Sequence, residues 1–205
     1  MDTKKDQTYV LHMLMEKQLE RLRFPIGEIT KSQVREMASS LSLQTAGKAD
    51  SQDVCFISRT KGGRHRFLEE RMVMTPGEVV DLQGKQIANV PAIQMVTIGQ
   101  RKGLGVSGEG EPRYAVDVDI ESATVIAGSK GDLFCNETPI VNIQWIGDPV
   151  SGVIDIQTSA HGRTVKARVS EKIFWEHPHT KIAPGQSAVF YDDNKVVGSA
   201  IVSKS

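Results

Sequence analysis

The spacing of apolar residues changes character near residue 48. In DQTYVLHMLMEKQLERL, Val10, Leu11, Leu14, Leu19 and Leu22 fall roughly on one helical face. FPIG (Phe24 to Gly27) breaks that helix. TKSQ then places Thr30 as N-cap with Gln33 three residues on, a capping box, and Val34, Met37, Ala38 and Leu41 form the stripe of a second helix. Two amphipathic helices make a poor domain by themselves, because their apolar faces stay exposed unless another body covers them. The first 45 residues therefore predict a partner domain.

Beyond Lys48 short β-rich runs punctuated by glycine take over: DVCFI, GEVVDL, QMVTIG, RYAVDVDI and ATVIAG. Tyr114, Val116, Val118 and Ile120 alternate strictly, the signature of a half-buried strand. The pattern continues through IVNIQWIG, GVIDIQTS, RTVKARV and SAVFYDDNKVVGSAIV, where Asp192 to Asn194 reads as a hairpin turn. Regular strand spacing of this kind predicts a small antiparallel barrel or sandwich. The fold class expected is mainly β with N-terminal helices (α+β).

Composition narrows the functions. The 205 residues carry 25 Lys and Arg against 25 Asp and Glu, so a global electrostatic pull on nucleic acid is excluded while a local basic patch is not. No apolar run approaches the roughly 18 residues of a membrane helix, and MDTKKDQTYV lacks the apolar core of a secretory signal. We therefore expect a cytoplasmic protein. Two cysteines, Cys55 and Cys135, form neither a zinc motif nor a disulfide framework.

Cys55 sits in DVCFI, after Asp50 and Asp53. It reads either as a nucleophile or sulfur carrier, or as a small buried hydrophobe. The basic run Arg59, Lys61, Arg64, His65 and Arg66 contains KGG and predicts a loop; its positive charge favours a thiolate while Asp53 opposes it. TIGQRKGLGV (Thr97 to Val106) could cradle a phosphate but matches no established phosphate-loop spacing, and equally reads as a tight turn. Lys4, Lys5, Asp6 and Gln7 precede the first helix. Pro184-Gly185 predicts a turn that exposes the amide of Gln186. His177-Pro178-His179 reads as a loop without metal-ligand spacing, so no metal is expected.

Taken in order, KDQTYVL, FPIG, KADSQDVCFI, TIGQRKGLGV, PRYAVDVD and APGQSAVFY resemble the tRNA-specific 2-thiouridylases over nearly the whole chain. The resemblance implies an N-terminal ATP-pyrophosphatase domain with an SGGxDS loop, a small central domain and a C-terminal β-barrel. It implies replacement of the C2 oxygen of the wobble uridine by sulfur, with ATP (and Mg) activating that oxygen and an enzyme persulfide delivering sulfur. Cys55 matches the persulfide cysteine. Lys5, Asp6 and Gln7, with Gln186, match tRNA contacts. An Arg-Tyr pair that many members carry in a barrel strand is replaced here, with Ser159-Ala160 at the expected place and His161 or Arg163 as substitutes. Cys135 does not match the second reactive cysteine and is expected to be structural.

The chain starts just before KDQ, without an SGGxDS loop. We therefore expect residues 1–45 to be a helical segment left from the catalytic domain, 46–115 the central domain and 116–205 the barrel. The implied partners are tRNA, a sulfur-donor protein of the desulfurase or relay type, and the ATP-pyrophosphatase domain. ATP is expected to bind that domain, leaving this chain alone unable to complete the reaction. A stand-alone tRNA-binding or persulfide-carrier module is the competing expectation.

Overall fold

The computed structural model describes residues 6–48, 63–106 and 111–204. Its described strands form two sheets. The first contains β1 (Gly77–Val80), β2 (Gln86–Val90), β3 (Tyr114–Asp119) and β4 (Thr124–Gly128), in the order β2-β1-β4-β3. β1 and β4 run parallel, and the other two pairings are antiparallel. Val79, Val90, Ile93, Leu104, Ala115, Val125 and Ala127 form its core.

The strict alternation expected along β3 breaks at a register irregularity between Ala115 and Asp117. An extra residue in one strand turns two successive side chains inward: Ala115 and Val116 are both buried, while Ile120, past the strand end, is exposed. QMVTIG, expected to be strand-like, instead holds part of a 3-10 turn, Ile93–Met95. Gln94 explains this. Its side chain accepts from Thr75 N (3.1 Å) and donates to Val73 O (3.1 Å), saturating the backbone of a neighbouring segment where a strand partner would be needed.

The second sheet is a closed six-stranded barrel made from β5 (Phe134–Trp145), β6 (Val153–Gln157), β7 (Val165–Val169), β8 (Lys172–Thr180), β9 (Ser187–Asp192) and β10 (Lys195–Val202). Every pairing around it is antiparallel. Closure removes the free edges of an open sheet. Inward positions of alternating strands fill the interior with Ile154, Ile156, Ala167, Ile173, Trp175, Phe190 and Val197. The indole N–H of Trp175 donates to Thr138 Oγ1 at 2.9 Å, satisfying the polar end of a buried ring. The expected Asp192–Asn194 hairpin is present, with Asp193 at φ 52°. Gly198 allows β10 to press on β5: a Cβ there would stand 2.5 Å from Gln144 O.

His177-Pro178-His179, expected in a loop, lies in β8. Pairing of β5 with β8 jumps between Cys135 and Glu137, and this irregularity accommodates a proline that cannot donate to a ladder. The basic run is also partly helical: α3 spans Gly63–Glu69, with Arg66 paired to Glu70 at 3.2 Å one turn on.

The N-terminal part departs most from its pattern. The single helix expected over 6–22 is a 3-10 turn, Thr8–Leu11, followed by the one-turn α1, Glu16–Leu19. Gln18 Oε1 takes the N–H of Met15 at 2.8 Å, starting α1 afresh instead of continuing the first turn. α2 (Lys31–Ser40) begins as predicted, with Thr30 N–H donating to Gln33 Oε1 (2.7 Å) and Gln33 N–H to Thr30 Oγ1 (3.4 Å). Between residues 6 and 48 no apolar side chain is buried. Val10, Met13, Met15, Leu22, Phe24, Ile26, Met37, Leu41 and Leu43 are all exposed.

Candidate functional site

Asp6 opens the described chain by folding back on it. Its Oδ1 accepts from the N–H (2.8 Å) and the hydroxyl (2.7 Å) of Thr8, a local turn that starts the 3-10 segment. That turn carries Tyr9 and His12 to the barrel. The Tyr9 hydroxyl donates to Ser187 O at 2.9 Å, and the Ser199 hydroxyl to His12 O at 3.4 Å. The rings of Tyr9 and His12 lie 5.8 Å apart. His12 is buried, and its Nδ1 has no hydrogen-bond partner. Burial holds its pKa below the usual imidazole value. Burial likewise raises the Tyr9 phenol, against the opposing bond to Ser187.

Docking of this segment closes one side of a cleft of about 680 Å³. Asp6, Thr8 and Tyr9 face Gln157, Tyr191 and the β6–β7 loop across it. The Tyr191 hydroxyl donates to Gln157 Oε1 at 2.8 Å, and the Gln157 amide donates to Ser159 O (2.9 Å) and Gly162 O (3.1 Å), so one chain of bonds sets the loop against the strand. Burial pushes the Tyr191 phenol up; contact with Thr8 lowers it and the charge of Asp6 raises it further. A cleft of mixed polar and apolar lining, with hydroxyl, amide and imidazole groups around its rim, suits a ligand that combines flat rings with donors and acceptors.

Ser159 and Ala160 lie in the loop after β6 and not in a barrel strand. Ala160, His161 and Gly162 nevertheless line the cleft. Gln186 is exposed on the turn before β9. Its backbone is fixed: its N–H donates to Ala183 O (3.2 Å) and its carbonyl accepts from Val202 N (2.8 Å). Gln186 adjoins Ser187, where Tyr9 docks, so the segment carrying Asp6 and Gln7 reaches the turn carrying Gln186. Lys5 and Cys55 lie outside the described residues. Cys135 is half-buried, with its thiol 3.5 Å from His179 O and 3.8 Å from Thr138 Oγ1. Among the described residues no cluster of His, Cys, Asp and Glu could hold a metal, and no helix is long and apolar enough to cross a membrane.

Sequence reasoning missed Tyr9, His12, Gln157 and Tyr191. TYVLH reads as part of a helix, and the only local cue is a histidine placed within an apolar run.

Comparison with known proteins gives three consecutive family matches. Residues 1–59 match the model described as tRNA methyl transferase HUP domain, 65–129 the tRNA methyl transferase PRC-barrel domain, and 137–202 the aminomethyltransferase β-barrel domain. The tRNA-specific 2-thiouridylase MnmA of Chloroflexus aggregans is 38% identical over 212 residues, covering 99% of this chain and 59% of the relative. The enzymes of the same name from Herpetosiphon aurantiacus and Zymomonas mobilis are 36% and 34% identical, over 98% and 100% of this chain. The chain belongs to the tRNA-specific 2-thiouridylase family. It spans 59% of the length of the Chloroflexus aggregans 2-thiouridylase and 56% of the Zymomonas mobilis one. Within that family frame, the 3-10 turn, α1 and α2 fall in the HUP match, the four-stranded sheet in the PRC-barrel match, and the closed barrel contains the last match.

Proposed function

We propose that this chain is the persulfide-bearing and tRNA-holding part of a tRNA 2-thiouridylase, acting in the cytoplasm. The observation that carries the reading is the docking of Asp6–His12 on the barrel beside Gln186, which joins two segments far apart in sequence into one polar surface. Asp6, Gln7 and Gln186, with Lys5 from the same segment, are the tRNA contacts we assign. The cleft below Asp6 supplies a recess for part of the RNA, since single-stranded RNA is read through bases splayed into such recesses.

In this reading Cys55 is the sulfur carrier. Its thiolate attacks the terminal sulfur of a donor persulfide, forming Cys55–S–S⁻ and releasing the donor's thiolate. The terminal sulfur then bonds to C2 of the wobble uridine, whose oxygen leaves with the AMP that activated it. A second cysteine attacks the inner sulfur of Cys55, leaving a disulfide. We assign ATP, Mg and that second cysteine to the ATP-pyrophosphatase domain of the whole protein. Exposed apolar side chains between Val10 and Leu43 support a docking face for the rest of that domain. On this basis the isolated chain accepts sulfur and binds tRNA but does not thiolate it.

The test is intact-mass spectrometry after incubation with a cysteine desulfurase and cysteine. A gain of one sulfur that Cys55→Ser abolishes is the expected result. No adduct on a Cys55 that also resists alkylation would overturn the carrier role. Thiouridine formed by the isolated chain with ATP would overturn the division of labour.

A further inference from the structure

The glycine-rich loop Thr97–Val106 has no part in the surface described above, yet it is built to hold a shape. Gly99 N–H donates to Ala115 O at 2.8 Å, and Ala115 N–H returns a bond to Gln100 O at 2.9 Å, which ties one end of the loop to β3. The Gln100 side chain accepts from Thr97 N (3.2 Å) and donates to Lys102 O (2.7 Å), closing the loop across its own mouth. Leu104 is sunk in the core of the four-stranded sheet. Gly105, at φ +70°, brings the backbone so close to β2 that a Cβ would stand 2.6 Å from Asn89 O.

Between these fixed points Arg101, Lys102 and Gly103 stand exposed. Among the described residues neither cation meets a carboxylate, so both are open to an outside anion. The backbone N–H groups of residues 101–103 also donate to no acceptor among the described residues. Two adjacent exposed cations, backbone N–H groups left without an acceptor among the described residues and a glycine at φ +80° together suit an anion. The loop has no aromatic ring on which to stack a base. The base of the loop borders the barrel: Ile98 lines one cleft with Pro184 and Lys204, beside the turn that offers Gln186.

We infer that the Thr97–Val106 loop is a phosphate clamp for the RNA backbone, with Arg101 and Lys102 contacting phosphodiesters and Gln100 as the positioning residue. This rests on the tRNA reading above. Contacts of this class set the register of the RNA without reading its sequence.

The experiment is a salt titration of the binding of an unmodified tRNA transcript to the 205-residue chain, set against Arg101→Ala/Lys102→Ala. Removing one cation from a phosphate should lower the slope of log K against log salt by about 0.7–0.9. The double variant should therefore lose roughly 1.5 in slope and about thirty-fold in affinity near 0.1 M salt. Gln100→Ala, which keeps both charges but removes two loop hydrogen bonds, should also weaken binding when measured well below the melting temperature of the variant, where the chain is fully folded. Binding by the parent chain with affinity and slope unchanged in the double variant overturns the clamp alone. No binding by the parent overturns the tRNA reading and the clamp together. Inorganic phosphate, at ionic strength matched with chloride, should not displace the transcript. If it does so from the parent and not from the double variant, the loop serves free phosphate and the RNA assignment falls.

Discussion

The hydroxyl of Tyr9 donates to the backbone carbonyl of Ser187 at 2.9 Å across 178 positions of sequence. This bond holds the N-terminal segment on the barrel although that segment contributes no buried apolar side chain. Tyr9→Phe keeps the ring and removes the donor. We expect docking to weaken by about 1 kcal/mol, the net worth of one such bond. Hydrogen exchange should show faster opening of residues 6–12 with β5 to β10 unchanged. Equal protection in the variant would assign the docking to ring packing alone.

His12 makes that docking sensitive to pH. The ring is buried with Nδ1 unpartnered, and burial lowers its pKa in the folded state. No charged group contributes to that shift; Tyr9 is the titratable side chain against the ring. A histidine depressed on folding stabilises the docked state fully above its unfolded pKa of about 6.5, and loses that contribution as pH falls through the folded value. Protection of residues 6–12, corrected for intrinsic exchange, should therefore drop as pH falls from about 7 to about 5. His12→Phe should flatten the profile. A pH-independent parent would show that the imidazole stays neutral throughout or charges without leaving.

Inside the barrel, Trp175 depends on Thr138. Thr138→Val leaves the indole N–H buried without an acceptor, at a cost of about 1–3 kcal/mol. The urea midpoint should fall at constant m-value. A midpoint within error of the parent would mean that the indole finds another acceptor.

Two glycines at the same φ of about +70 to +80° separate contact from conformation. Gly84→Ala, with nothing within 4 Å of the new Cβ, should cost only the backbone strain, about 1–2 kcal/mol. Gly105→Ala adds a 2.6 Å approach to Asn89 O that a backbone atom cannot easily relieve. It should destabilise more than Gly84→Ala and, unlike it, weaken RNA binding by displacing Arg101 and Lys102. Equal effects on stability would show that β2 yields to the loop.

Local chemistry was readable from the sequence. The capping box at Thr30 and the Asp192–Asn194 hairpin form as the residues predict, because each is settled within four or five positions. The barrel strands were readable because one face of each is buried. The helix expected over 6–22 was not, since its partners, Ser187 and Ser199, stand in the barrel and impose a bend that no periodicity encodes. QMVTIG and the His177–His179 stretch misled for the same reason: Gln94 and the β5–β8 irregularity act across space. Of the proposed tRNA contacts, Asp6, Gln7 and Gln186 come from the family resemblance. That Tyr9 would carry the first two to the neighbour of the third could not be read from it. β3 also shows why a domain boundary near residue 115 is hard to read. Its apolar pattern matches that of the barrel strands, yet it completes the four-stranded sheet.

The placement of β10 between β9 and β5 has a consequence for how the protein is made. Synthesis is vectorial, and β5 leaves the ribosome long before β10 exists. Until then β5 and β9 each present an unpaired edge, a template for illegitimate strand pairing. The barrel can close only in a late step, when β10 inserts between two strands already formed. Nascent chains halted before Lys195 should therefore be caught by chaperones or aggregate, whereas chains released after Val202 should not.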